Sequence, residues 1–281
     1  MIEIISQGIA SSFQDLGRPG SSHLGVGRSG AADRPSHGLA NRLVGNVESA
    51  ATIETCGGLV MRVHHPAVVA VTGAAGAIDV RNGPPMGVNG VEQLPAGAEF
   101  TLRAPVDGMR YYVAVRGGFE VDPVLGSRSF DTLAGLGPRL ATGDHVVVGP
   151  DPGTPINADF GMRPPFTTTI DLFTGPRRDW FTSGAWAALT AEPFLVSPSG
   201  NRVGARLTGP ALERVRPREL LSEGLVEGSI QVPPDGQPIV MLADHPVTGG
   251  YPVIAVVASH HLASIAQARP GTALRFRHTI G

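Results

Sequence analysis

Glycine and proline punctuate this 281-residue chain from end to end, 38 of one and 25 of the other, and short β-branched runs recur between them. Such runs include Ala67 to Thr72, Tyr111 to Val115, Thr168 to Phe173, Pro238 to Leu242 and Val253 to Val257. Residues of this kind in runs of four to eight, bounded by turn formers, read as strands. The chain therefore reads as mainly β. Asn82-Gly83 and Asn89-Gly90 predict tight turns in which the glycines take positive φ without steric cost.

A few short helices interrupt the strands. Asp33 caps a helix over 33–44, with Pro35 in its first turn, Leu39, Leu43 and Val44 on one apolar face, and Gly45 to end it. A second spans Asp179 to Leu189. The third starts at Ser259, carries Leu262, Ile265 and Ala266, and stops before Pro270. A faint duplication sets Thr72-Gly73 beside Thr174-Gly175-Pro176 and Gly117-Gly118 beside Gly249-Gly250, at no constant offset. It favours two similar β units, 1–160 and 161–281, with the break where Pro and Gly cluster between Gly153 and Pro165.

Composition removes several classes of function. Charged residues are 16% of the chain and the formal net charge is -2, without the basic footprint of a nucleic-acid binder. No apolar run is long enough to span a bilayer, and Met1-Ile2-Glu3-Ile4-Ile5 lacks the basic and apolar regions of a leader, so the expected location is the cytoplasm. Cys56 stands alone and is expected to be an inert core residue. All 22 residues of the Lys+Arg count are arginine. Without lysine the chain has no Walker-type phosphate lysine, no Schiff base and no attachment point for covalent biotin.

Three polar stretches rich in turn formers are the candidate functional loops: Gln14 to Gly20, Ser222 through Gln231 to Pro234, and Thr248 to Pro252. In the first, Asp15 and Arg18 either pair with each other to fix the loop or present a guanidinium fork to a carboxylate, phosphate or ureido oxygen, with Gln14 beside it. In the others, Glu223 is a candidate acid or base, Gln231 suits an amide edge, the Gly249 and Gly250 amides could form an oxyanion nest, and Tyr251 adds a hydroxyl. Asn41, Arg42 and Asn46 sit on the 33–44 helix and its end; Glu54 is either an inward-facing carboxylate or an ordinary strand residue. Ser199, Asn201, Arg202 and Arg206 form a further arginine-bearing stretch.

Other motifs carry less. Gly25-Val26-Gly27-Arg28-Ser29-Gly30 matches a dinucleotide fingerprint, but no apolar strand precedes it and no βαβ unit surrounds it. A metal site is not expected, because the adjacent pairs His64-His65 and His260-His261 lack helical ligand spacing and neighbours on a strand point to opposite faces. No Gly-x-Ser-x-Gly elbow is present.

The run from Gln14 to Asn46, the Gly117-Gly118 and Leu125-Gly126-Ser127-Arg128-Ser129 segment, and the last sixty or so residues resemble one family. It is variously called allophanate hydrolase subunit 2, the KipA-like biotin-dependent carboxyltransferase subunit, and the C subunit of 5-oxoprolinase. Ser29, Gly30, Ala31 and Asp33 fit its pattern, with Gly27 incidental, and Ser199 to Arg206 fits another, although Val203 and Ala205 stand where the family usually has Met and Tyr. Pro246-Val247 replaces the usual Gln-Thr before Thr248-Gly249-Gly250-Tyr251-Pro252, removing one amide and one hydroxyl.

The resemblance implies two cyclophilin-like β-barrel units. It implies catalytic roles for Asp15, Arg18, Glu223 and Tyr251, and substrate contacts from Gln14, Ser29, Asp33, Asn41, Ser199, Asn201, Arg202, Arg206, Gln231, Thr248, Gly249 and Gly250. The activity it implies first is ATP-dependent opening of 5-oxoproline to glutamate, with ATP handled in a complex with a KipI-like subunit and a third subunit. A second is carboxyl transfer from carboxybiotin to urea, with biotin on a separate chain; a third is a purely regulatory KipA-like module that binds a kinase inhibitor. A KipI-like partner is common to all three.

Overall fold

The computed structural model describes residues 1–216 and 220–279, which form two compact units. The first comprises Met1–Arg18, Ser29–Asp131 and Gly135–Pro164; the second comprises Pro19–Arg28, Thr132–Ala134 and the described residues from Pro165 onward. Among the described residues no helix is long and apolar enough to cross a membrane. The protein is mainly β.

The first unit contains two sheets. One has six strands in the order Phe119–Glu120, His145–Val148, Ile2–Ser6, Val60–Val63, Glu99–Leu102, Ile78–Arg81. The other has five, in the order Ser12–Gln14, Thr52–Thr55, Asp107–Val115, Ala67–Ala75, Val91–Leu94. Side chains alternate along a strand, and the Asp107–Val115 strand uses both faces. Tyr111, Val113 and Val115 pack with Ile4, Met61 and Phe100 of the six-stranded sheet, while Tyr112 and Ala114 turn the other way onto Ala40, Leu43 and Val44 of helix α1, Arg34–Leu43. A strand covered on both sides needs no polar face, which is why this run is continuously apolar.

Helix α1 begins where its sequence predicts. Asp33 is the N-cap and accepts from the Ser36 N–H at 3.0 Å, and Pro35 occupies the first turn, where its missing N–H costs nothing. The Asn-Gly sites differ from expectation. Positive φ falls on Asn82 (55°) and Asn89 (64°) and not on the glycines that follow, because the short polar Asn side chain tolerates the left-handed region. Cys56 also departs from expectation, being half-buried rather than a core residue.

In the second unit seven strands close a barrel: Thr169–Thr174, Val253–Val257, Ser229–Gln231, Ile239–Met241, Gly204–Thr208, Pro193–Val196 and Ala273–His278. Closure comes from parallel pairing of the last with the first, Thr169 opposite Arg275 through Leu172 opposite His278, which leaves no free edge to template aggregation. Ile170, Leu172, Phe194, Leu207, Ile230, Val240, Ile254 and Phe276 fill the interior. Ala185 and Leu189 of α2, Ser183–Ala191, and Leu262 and Ile265 of α3, Leu262–Gln267, join that core. The expected second helix starts later than Asp179, because a 3₁₀ turn over Arg178–Trp180 precedes Thr182, whose hydroxyl caps α2. Outside the barrel, Glu223–Gly224 pairs with Thr248–Gly249 as a two-stranded ribbon.

Candidate functional site

In the first unit the Gln14–Arg18 loop is built inward. Asp15 is 6% exposed and its carboxylate accepts from four donors: Oδ1 from the Gly17 N–H at 2.7 Å and from the hydroxyls of Ser127 and Ser129 at 2.6 Å each, Oδ2 from the Arg128 N–H at 2.6 Å. Arg18, 2% exposed, does not pair with Asp15 in any of these contacts. Its Nε donates to the Val124 carbonyl at 3.3 Å and its Nη2 to that of Ser129. Gln14 Nε2 donates to the Ser12 hydroxyl at 2.8 Å and the Phe130 carbonyl at 2.9 Å. Two groups remain: Arg18 Nη1 and Gln14 Oε1 are buried with no hydrogen-bond partner among the described residues.

Ser29 to Asp33 locks onto the same loop. The Ala31 N–H donates to the Asp15 carbonyl at 2.9 Å, and Gly30 has φ 100° with so little space that a Cβ would lie 2.9 Å from Gly17 N. Ser29 is itself buried at positive φ, 55°. Beyond it lies a buried polar network on the helix side of the five-stranded sheet, where strand register puts Glu54 and Thr72 on either side of Tyr112. The Tyr112 hydroxyl donates to Glu54 Oε2 at 2.8 Å and accepts from the Asp33 N–H at 2.7 Å. Glu54 also takes the Ala32 N–H at 3.0 Å and approaches Arg110 Nε at 3.3 Å. Burial, with the Glu54 and Asp33 charges adding to it, pushes the Tyr112 phenol well up, so it remains a neutral donor. Burial likewise pushes His37 down, and it bridges the Thr52 hydroxyl at 2.9 Å and the Glu48 carbonyl at 2.8 Å. Asn41 donates to the Ala50 carbonyl at 2.9 Å and accepts from Asn46 at 3.3 Å.

The second unit arranges the same residue types around open space. A cavity of about 950 Å³ is lined by Arg214, Glu213, Asp235, Gly250, Tyr251 and Leu220, among others. Arg214 reaches it from a segment tied to its neighbours by the backbone: Arg214 bridges Phe181, the Leu212 N–H donates to the Gly236 carbonyl at 3.0 Å and the Val215 N–H to that of Trp180 at 2.9 Å. Its Nη2 donates to the Val232 carbonyl, while Nε is buried with no hydrogen-bond partner among the described residues. Burial lowers the Arg214 pKa, opposed by Tyr251 and Asp235. Tyr251, 44% exposed, lines the cavity, while its carbonyl accepts from Gln231 Nε2 at 2.9 Å.

The ribbon beside this cavity gathers three more of the expected residues. Glu223 lies opposite Gly249, and its carboxylate is gripped by both Nε and Nη2 of Arg177. Thr248 is exposed and pairs with Gly224. Gly249 permits the close approach, because a Cβ there would lie 2.6 Å from Gln231 Nε2 and 2.8 Å from Leu225 Cδ1. The Ser199 to Arg206 stretch is placed elsewhere in the unit. Ser199 is exposed, the Asn201 side chain caps the Val203 and Gly204 N–H groups at 2.8 and 3.3 Å, and Arg206 is exposed on the Gly204–Thr208 strand. Arg202 is buried and bidentate with Asp244, at 2.8 and 2.9 Å; Asp244 also accepts from the N–H and hydroxyl of Thr132.

Residues 24–278 match the family model described as carboxyltransferase domain, subdomain A and B. The chain belongs to this family. Its carboxyltransferase-family relatives include the C subunit of 5-oxoprolinase from Escherichia coli strain K12, 37% identical over 96% of this chain and 89% of that protein. The solved structure of TTHA0988 superposes with a TM-score of 0.88 at 35% identity, covering 98% of this chain and 55% of that one. The urea amidolyase of K. lactis gives the same TM-score at 28% identity, and there the chain spans 18% of the larger protein. By name, the first of these is a subunit of an enzyme and the last an enzyme.

Sequence reasoning passed over Arg214, Arg177 and Asp244. Arg214 lies in Glu213-Arg214-Val215-Arg216, a run that reads as a solvated charged face, and only the backbone ties to Phe181 and Trp180 bring it to a cavity wall. Asp244 carried one signal, its following His-Pro, which marks a turn but not a partner.

Proposed function

We propose that this carboxyltransferase-family chain is the counterpart of the C subunit in a bacterial ATP-dependent 5-oxoprolinase, opening 5-oxoproline to glutamate with a KipI-like subunit and a third subunit. One observation carries the reading: the match to the C subunit of 5-oxoprolinase runs nearly the length of both chains, 96% of one and 89% of the other. The cavity beside Tyr251 supports it. A lactam resists opening because its carbonyl is a poor electrophile, so a site must hold the substrate and stabilise charge developing on oxygen. Arg214 suits the carboxylate of 5-oxoproline as a cation at the cavity wall, and Tyr251 suits the amide edge with a hydroxyl and a flat apolar face.

Glu223 and Gln231 take supporting roles in this scheme. Glu223, held by Arg177, sets the ribbon, and Gln231 holds the Tyr251 backbone. ATP belongs to the assembled complex; no lysine of this chain is available to cradle phosphates. The test is ATP turnover by the purified chain with its partner subunits, expected only when 5-oxoproline is present.

A second reading, carboxyl transfer to urea with biotin on another chain, is favoured by the family's description and by the 29% identical urea amidolyase of Lachancea kluyveri, of which this chain spans 17%. Turnover that requires urea and carboxybiotin would replace the first reading with this one.

A further inference from the structure

Outside the cavity, the second unit holds a cluster that its sequence argues against. His260 and His261 are neighbours, which on a strand would point to opposite faces. They lie in a 3₁₀ turn, Ser259–His261, where successive side chains are rotated by about a third of a circle, and their rings lie 4.1 Å apart between centroids with planes tilted by 45°. Both face Asp171 on the Thr169–Thr174 strand. The Ala258 N–H donates to the Asp171 carbonyl at 2.9 Å and fixes the turn against the strand.

The three side chains lie near the spacing of a coordination shell. A tetrahedral ion with bonds of about 2.0–2.1 Å holds its ligand atoms about 3.3 Å apart. His261 Nε2 lies 3.4 Å from Asp171 Oδ2, His260 Nε2 lies 3.9 Å from the same oxygen, and the three ligand atoms all fall within 4.8 Å of one another. His261 Nε2 is also buried, and the Asp171 carboxylate is the polar group it faces.

The other carboxylate oxygen is already committed. Asp171 Oδ1 accepts from Arg277 Nε at 2.7 Å, across a strand pair in which Asp171 and Arg277 are direct partners. That contact orients Oδ2 toward the histidines, the arrangement by which an outer partner aligns a ligating carboxylate. His260 is two-thirds exposed, so solvent reaches the cluster to complete the shell.

We propose that Asp171, His260 and His261 form a binding site for one divalent ion of the zinc, cobalt and nickel class, with water at the remaining position. Two imidazoles and one carboxylate suit that class better than magnesium or calcium, which favour all-oxygen shells. The site is independent of the Tyr251 cavity and of the reaction proposed there.

Titration of the purified full-length chain with Co²⁺ and, separately, Zn²⁺ tests this. The expected result is saturable binding at one ion per chain, with the visible absorption of four-coordinate Co²⁺, displaced by Zn²⁺. His261→Ala is expected to weaken binding about a hundredfold and the exposed His260→Ala about tenfold, each with unchanged circular dichroism. If His261→Ala does not fold, His261→Gln takes its place. Absence of saturable binding in the unaltered chain, or equal binding in the His260 and His261 variants, overturns the proposal.

Discussion

The Gln14–Arg18 loop of the first unit and the Tyr251 cavity of the second are built from the same chemical vocabulary of arginine, carboxylate, glutamine and glycine, yet they use it differently. In the loop, four donors saturate Asp15, and the Arg18 guanidinium is directed at main-chain carbonyls. In the cavity wall, Arg214 keeps a buried Nε unmatched and Tyr251 stands 44% exposed. A polar motif can thus hold a fold or meet a ligand, and whether its side chains border open space distinguishes the two. Arg18 is the instructive intermediate: its Nη1 is buried and unmatched among the described residues, so the loop retains one donor they do not use.

Four variants and a pH series would break or sharpen that contrast. Asp15→Ala should have the largest effect, a loss of about 4 kcal/mol of stability, because it leaves the Ser127 and Ser129 hydroxyls and two N–H groups without their acceptor. Urea unfolding measures it, and a loss below about 1 kcal/mol would deny the loop its clamping role. Next comes Arg214→Met, expected to lower kcat/KM of the assembled complex about a hundredfold, equivalent to about 2.7 kcal/mol, while the chain stays folded. Normal turnover in that variant would remove Arg214 from the site.

Gly249→Ala should cost about 2 kcal/mol, since its methyl would press on Gln231 and Leu225; a crystal structure would show the ribbon displaced at Thr248–Gly249. Tyr251→Phe keeps the ring and loses the hydroxyl, so kcat/KM should fall about tenfold with unfolding unchanged. The smallest effect concerns His37. Burial lowers its folded-state pKa below 6.5, so the unfolded chain binds the proton more readily; the contribution to stability is complete above pH 6.5 and declines as pH falls from there. Thermal unfolding between pH 8 and 5 should show this decline, and His37→Gln should flatten it.

Local signals in the sequence were strong where the physics is local. Asp33 and Pro35 announce helix α1 because a cap and a first-turn proline act within four residues, and the β-branched runs announce strands because pleated backbone favours them. The Asn-Gly pairs were legible as turns, although the residue that takes positive φ was not, since both asparagine and glycine can. The roles of Asp15 and Arg18 were not legible at all. Apart from the Gly17 N–H, their partners lie more than a hundred positions away in 124–129, and nothing in Gln14-Asp15-Leu16-Gly17-Arg18 names those.

The cavity was half legible. Gly249, Gly250 and Tyr251 stand out as a glycine-turned polar loop, whereas Arg214 sits in an ordinary charged run and gains its place only through backbone bonds to a distant segment. The same limitation hid the approach of His260 and His261 to Asp171. Adjacent histidines look divergent when strand geometry is assumed, and the 3₁₀ turn that reverses this is held to the strand by the Ala258–Asp171 backbone bond.

The order of residues was enough to specify a mainly β chain with short capped helices, the chemistries that its missing lysines exclude, and the family its motifs resemble. Those properties follow from torsional preference and side-chain type, which act over a few neighbouring residues. Which carboxylates are satisfied internally and which arginine faces a cavity emerged only with the tertiary structure. Pairing strands distant along the chain chooses each polar group's partners, and no short window of sequence contains that choice.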